Sequence, residues 1–208
     1  MNKRGLKQMM KNAIRICTIL AVCLSAPAMS FAESITYVIR DDGKSSATFV
    51  SDAPLETMTG KTSKVTGSLM VDPADITQTK GAFKVPVVSL RTGNDLRDEH
   101  LQGDGWLHAK KYPHIEFEIT EVVLGKKDPK GLKKNKETKV QVKGKFTAHG
   151  ITKLVTTKGT VKWSDDALRV KANFVANLED HQISVPSIVR LKVANEMDVS
   201  VNLTAVPQ

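Results

Sequence analysis

No cysteine lies beyond residue 23 of this 208-residue chain, so no disulfide or thiolate metal site can form after that point. Aromatic residues are also scarce, at 5% of the chain, with six Phe, two Trp and two Tyr in all. After residue 29 no apolar run reaches the roughly 20 residues that a membrane-spanning helix requires. The first 32 residues contain no Asp or Glu at all. Together these absences exclude a disulfide scaffold, a Cys-based enzyme and a helical membrane protein for the bulk of the chain. A fold that lacks staples must hold together by burial, and the length suffices for one domain that does so.

What is present at the N-terminus has the form of an export signal. Lys3, Arg4, Lys7, Lys11 and Arg15 make a basic segment, and residues 16–29, ICTILAVCLSAPAM, make a short apolar one. Ser30-Phe31-Ala32 supplies small residues at the positions a signal peptidase reads, which predicts cleavage after Ala32 and export. A lipid anchor at Cys23 is disfavoured, because branched Val22 stands where such sites take a small residue. The expected organisation is a signal peptide at 1–32 and one domain at 33–208. The leader holds five of the 31 Lys and Arg and none of the 22 Asp and Glu. Its removal leaves a net charge of +4 instead of +9, weak support for nucleic-acid binding.

The rest alternates between apolar and polar residues with turn residues between the runs. Ile35, Tyr37 and Ile39 share one face, as do Val65, Gly67, Leu69 and Val71, closed by Asp72-Pro73-Ala74-Asp75. Phe83, Val85 and Val87 follow; later come Ile115, Phe117 and Ile119, then Val140, Val142, Gly144, Phe146 and Ala148. Val155 to Trp163, Leu168 to Phe174 and Met197 to Ala205 keep the same period of two. This is an all-β pattern of about eight antiparallel strands with one apolar face, and closing the sheet into a barrel removes its exposed edges. One segment departs from it. Residues 93–103 read as a short helical insert beginning at Thr92 or Asn94, rich in Asp and Glu and too short to be stable unless it leans on the barrel mouth. Residues 179–194, which include Pro186, form the longest irregular stretch and are expected to cover one end.

An eight-stranded barrel is either filled by its own side chains or holds one small ligand. The apolar face mixes small residues (Ala47, Gly67, Gly144, Ala148, Gly159, Ala172, Ala205) with a few large rings. That mixture suits a greasy lumen, and equally suits a filled core in which glycine relieves crowding at bends. A Phe at position 172 discriminates, costing about 1–3 kcal/mol in a filled core. An acyl or prenyl chain of ten carbons would contribute roughly 8 kcal/mol through its buried methylenes before binding costs.

Side-chain chemistry is sparse. The histidines, His100, His108, His114, His149 and His181, make no metal-binding spacing, and Ser184 and Ser187 lack a nucleophile elbow. His108, His114 or His181 would have to serve an enzyme reading. Arg97, Asp98, Glu99 and His100 point around a helix rather than converge, so they read as a solvated, ion-paired surface. Glu179, Asp180 and His181 read as a loop anchor. The run at Lys126–Lys136 holds six lysines against one acid and is a candidate for peripheral contact with anionic headgroups. Its lack of aromatics argues against nucleic acid.

Asp72-Pro73-Ala74-Asp75, Ser89-Leu90-Arg91-Thr92-Gly93-Asn94, Arg97-Asp98-Glu99-His100-Leu101, Lys111-Tyr112-Pro113 and Gly144-Lys145-Phe146-Thr147-Ala148-His149-Gly150-Ile151-Thr152-Lys153 resemble the YceI family. The resemblance covers most of the chain after the leader. It implies an extended lipocalin-like antiparallel β-barrel, exported to the periplasm, that binds isoprenoid or other amphiphilic lipids and carries no catalytic residues. One departure is that Gly43-Lys44-Ser45-Ser46-Ala47-Thr48-Phe49 lacks the histidines usual there, which removes their headgroup contacts. The expectation is a carrier, not an enzyme, for a polyisoprenoid, quinone or fatty amide, with no metal or cofactor; a homodimer is compatible with it. The contact residues expected are Phe49, Phe83, Val85, Val87, Phe117, Phe146, Trp163 and Phe174, with Leu101 and Trp106 near the mouth. The alternative is a filled barrel acting as a surface interaction module.

Overall fold

The computed structural model describes residues 34–208, so the leader and its cleavage point lie outside the described residues. Ten strands occur in chain order: β1 (Ile35–Ile39), β2 (Ser46–Ala53), β3 (Glu56–Thr62), β4 (Thr66–Val71), β5 (Lys80–Pro86), β6 (His114–Val123), β7 (Glu137–Ala148), β8 (Ile151–Trp163), β9 (Leu168–Asn177) and β10 (Glu196–Pro207). Eight of them close a ring in the order β1-β4-β5-β6-β7-β8-β9-β10, every pairing antiparallel, with β10 returning to β1. The barrel expected from the alternation is therefore present.

Two further strands, β2 and β3, stand outside this ring. β10 is long enough for two partners, pairing Ala205 with Ile39 of β1 and Val199 with Phe49 of β2. β1 and β2 are thus two halves of one wall, separated by a break at Arg40–Ser45. At that break Ser45 is buried and ties itself to β10, its hydroxyl accepting from the Thr204 N–H at 3.0 Å. β3 pairs with β2, and among the described residues its other edge is bridged only at Lys61 to Arg91. The β2–β3 hairpin therefore raises one side of the wall above the ring.

The two ends of the barrel differ. One end is closed by Tyr37, Leu168, Leu203 and Ala205, all buried, and there the Trp163 indole N–H donates to the Tyr37 hydroxyl at 2.8 Å. The lysine-rich loop Lys126–Lys136 belongs to this closed end. Its Leu132 is buried, and its backbone bonds to Pro73, Ile76 and Trp163. A membrane contact through these lysines would therefore face away from the opening at the other end.

At the open end sits α1 (Asp95–Gln102), within the insert expected at 93–103. Asn94 caps it, its side-chain oxygen accepting from the Arg97 N–H, and the helix stops at Gly103. The charged surface expected on this helix is corrected at Asp98, which is buried. Its carboxylate accepts from the Thr92 N–H at 2.7 Å and the Thr92 hydroxyl at 2.6 Å, while Arg91 stands 3.9 Å away. Arg97 is also paired, with Glu56 of β3 at 2.6 Å. The helix is therefore tied to the wall by the residues expected to face water.

Candidate functional site

Four phenylalanines cross the barrel from wall to wall. Phe83 of β5 stacks on Phe117 of β6 with ring centres 5.4 Å apart; Phe117 meets Phe174 of β9 at 6.0 Å, and Phe174 meets Phe146 of β7 edge-on at 5.0 Å. Packing between rings favours such offset and edge contacts. The register between strands sets this belt: Phe117 lies opposite Phe83 on one side and Phe146 on the other. Gly144 makes room for it, since a Cβ there would come within 2.4 Å of the Phe117 ring.

The belt divides the interior. On its closed side lies a void of about 60 Å³ lined by Leu69, Val142, Ala172 and Phe174 among others. On its open side lies a cavity of about 490 Å³ that reaches the mouth, lined chiefly by apolar side chains. The strands switch sides at one level: Val199 lines the large cavity and Val201 the small one, and likewise Val85 and Phe83, Ala176 and Ala172. The question left open by the sequence, whether the barrel is hollow or filled, thus has two answers. It is filled below the belt and hollow above it.

The residues expected to line a lumen separate accordingly. Phe49, Val85, Leu101, Trp106 and Phe146 line the large cavity. Phe83, Phe117 and Phe174 line the small one and form the partition. Val87 and Trp163 line neither. Val87 sits in a turn of 3-10 helix at Val87–Ser89, where it is 1% exposed and packed into the core, and Trp163 belongs to the closed end. Both follow the strand alternation on paper, but one lies past the end of its strand and the other at the far end of its own. Phe49 is pressed against Gly60 of β3, where any Cβ would lie 2.2 Å from its ring.

Several lining residues were not foreseen. Ala176, Met58 and Met197 lie on strand alternation and were legible there, although nothing marked them as nearer the mouth. Ile183, Pro186, Ile188 and Val193 come from the irregular stretch 179–194, which covers the mouth as expected but has no periodicity to show which side chains turn inward. This cover is anchored by histidines. The His181 ring is buried against Phe146 at 5.2 Å, and its Nδ1–H donates to the Ile151 carbonyl at 3.0 Å. His149, in a β7–β8 turn with positive φ, donates through its Nδ1 to the His181 carbonyl at 3.0 Å and packs on Tyr112. His181 thus serves as the loop anchor, while His108 lies against Tyr112 and His149 in the same aromatic cluster. Among the described residues no group of three or more His, Cys, Asp or Glu is arranged to hold a metal ion.

Burial holds the His181 imidazole below its ordinary value, against the hydrogen bonds to backbone carbonyls that favour its protonated form. The anchored ring is therefore neutral, and the detached or unfolded loop binds a proton more readily. Stability contributed by the anchor is complete above the ordinary histidine value of about 6.5 and is lost as pH falls below it. Thermal unfolding should show a Tm that declines from about pH 7 to pH 5, a decline reduced in His181→Asn. Equal pH dependence in both proteins would remove His181 from this role.

The two tryptophans give a second expectation. Trp106 lines the large cavity and Trp163 does not, so a ligand filling the cavity changes Trp106 emission alone. Trp106→Phe is expected to abolish the ligand-induced fluorescence change, and Trp163→Phe to preserve it. The reverse result would place the ligand at the closed end.

An eight-stranded antiparallel barrel with an apolar cavity at one covered end is a lipocalin-like barrel. The YceI-like domain pattern matches residues 37–205, and the chain belongs to that family. A UPF0312 protein of Pseudomonas putida (strain GB-1) is 28% identical over 141 residues, covering 65% of this chain and 67% of its own. A UPF0312 protein of Vibrio cholerae serotype O1 (strain M66-2) is 33% identical over 141 residues, covering 65% and 69%. Among solved structures, Burkholderia cenocepacia BcnA superposes with a TM-score of 0.68 at 21% identity, over 81% of this chain and 99% of its own. A polyisoprenoid binding domain from Saccharophagus degradans gives a TM-score of 0.63 at 15% identity, over 85% and 100%. At these identities the solved structures establish the shared fold.

Proposed function

We propose that this protein is a non-enzymatic carrier that holds the chain of a long apolar lipid, of polyisoprenoid, quinone or fatty amide type, in the cavity above the phenylalanine belt. The observation that carries the reading is the cavity itself: about 490 Å³, apolar, and open at one end of a barrel whose other end is packed. Protein interiors rarely keep such a volume empty, because every lining atom forfeits its contacts. A flexible hydrocarbon chain restores them without demanding a specific polar constellation, and each methylene removed from water contributes about 0.8 kcal/mol. Among the polar residues that line the cavity, Thr92, Asn94, Arg97 and His100 belong to the α1 segment at the mouth, where a headgroup would remain. The related Saccharophagus degradans barrel, a polyisoprenoid binding domain, supports a prenyl chain as the first candidate. The basic, acid-free leader supports export, and with it a periplasmic site of action. A filled barrel that works only through its surface accounts for the half below the belt and leaves the upper cavity without a purpose.

Native mass spectrometry of the purified protein, followed by lipid extraction, tests the proposal. The expected result is a co-purifying lipid, or stoichiometric uptake of an added prenyl lipid. A protein that carries none and takes up none would overturn it.

A further inference from the structure

Eight large apolar residues stand in water among the described residues; Met70, Val88, Leu154 and Val175 are spread over separate strands and turns, and the other four gather in one place. Leu55 is 68% exposed, Leu96 62%, Ile188 91% and Leu191 58%, and all four belong to segments around the cavity mouth. Leu55 is at the tip of the β2–β3 hairpin, where its N–H donates to the Leu191 carbonyl at 2.8 Å. This bond joins the hairpin tip to the cover, and Leu96 and Ile188 line the cavity edge from α1 and the cover. Exposed apolar surface gathered around an opening marks a contact site. Between and beside Ile188 and Leu191 stand Arg190 and Lys192, both exposed, with no carboxylate at ion-pair distance among the described residues. Apolar side chains interleaved with cations suit a bilayer interface, where the first enter the acyl boundary and the second meet anionic headgroups. A protein partner would leave unexplained why the apolar ring encircles an apolar cavity.

From this we infer that the mouth is a membrane-docking surface: Leu55, Leu96, Ile188 and Leu191 dip into an anionic bilayer, held by Arg190 and Lys192, so that the lipid passes between bilayer and cavity without crossing water. The inference rests on the carrier reading for its purpose but not for its detection.

Flotation of the purified protein with phosphatidylcholine vesicles, with and without phosphatidylglycerol, tests this directly. Binding is expected to the anionic vesicles and to weaken with salt. The double variant Leu55→Asp/Leu191→Asp, at two exposed residues that do not line the cavity, should bind them roughly tenfold less or worse. Met70→Asp, on the outer face of β4 toward the closed end and 50% exposed in the parent, should bind as the parent does. Uptake of a short prenyl quinone from detergent should survive in the mouth variant, while its uptake from vesicles is lost. Failure of uptake from detergent in the parent would count against the carrier reading alone, since flotation still reports docking. Absence of parent flotation, equal flotation of the mouth variant, loss through Lys126→Glu/Lys127→Glu instead, or a self-associated dimer that buries the four residues would each overturn the inference.

Discussion

Ala176→Phe is expected to abolish lipid binding with little loss of stability, and Ala172→Phe, four residues earlier on the same face of β9, to do the reverse. Both side chains point inward, and Phe174 of the belt stands between them. Ala176 lines the 490 Å³ cavity, so a phenyl ring there occupies space that otherwise receives ligand. Displacing three or four methylenes at about 0.8 kcal/mol each removes roughly 3 kcal/mol of binding, about 100-fold in affinity. Ala172 faces only the 60 Å³ void and lies opposite Gly159 of β8 and Val201 of β10. A ring at that position overpacks the filled half, at about 1–3 kcal/mol of folding stability, and leaves the upper cavity intact. Lipid titration and denaturant unfolding of the two variants separate the effects. Ligand loss in Ala172→Phe, or undiminished affinity in Ala176→Phe, would refute a barrel divided at the belt.

The contrast between these neighbours shows where sequence reasoning stops. Alternation with a period of two placed Ala172 on the apolar face, in a run read only as far as Phe174, and it placed the barrel strands and the short helix close to where they lie. These are local properties, written into each run of residues. The belt is not local. It depends on Phe117 meeting Phe83 across one strand pairing and on Phe174 reaching Phe146 across the lumen, which is a matter of register and barrel shear. Val87 and Trp163 show the same limit, since periodicity reports the face of a residue and not its height along the axis. The charges of α1 misled in the opposite direction. Helical spacing shows that Arg97, Asp98, Glu99 and His100 diverge, but not that a wall segment, Arg91-Thr92, folds back over one of them. The cover at 179–194 has no period to read, so its inward Ile183 and outward Leu191 emerge only from the fold.

Asp98 carries the second large effect, because it alone pins the helical insert to the wall from a buried position. Burial disfavours its ionised form, but hydrogen bonds from the Thr92 hydroxyl and N–H and the charges of Arg91 and Arg97 outweigh this, holding its carboxyl below the usual carboxylate value. Asp98→Ala leaves those donors without their acceptor and frees Arg91 of its carboxylate. A hydrogen bond to a charged group contributes about 1.5–3 kcal/mol, so the docked insert should lose roughly 2–4 kcal/mol. The loss is local, since the ring of strands does not pass through α1, and amide exchange in residues 92–102 should quicken while β6–β9 keep their protection. With Leu101 and Trp106 released from the cavity edge, bound lipid should leave faster. The depressed carboxyl also fixes a sign: its contribution is present at neutral pH and is lost as pH falls through the range below about 3.9. Asp98→Asn, which keeps one carbonyl oxygen for Thr92 but no charge, should fall between parent and alanine variant at neutral pH and lack this part of the acid sensitivity. Unchanged exchange in α1 of Asp98→Ala would show that Asn94 capping and the Arg97–Glu56 pair hold the insert by themselves.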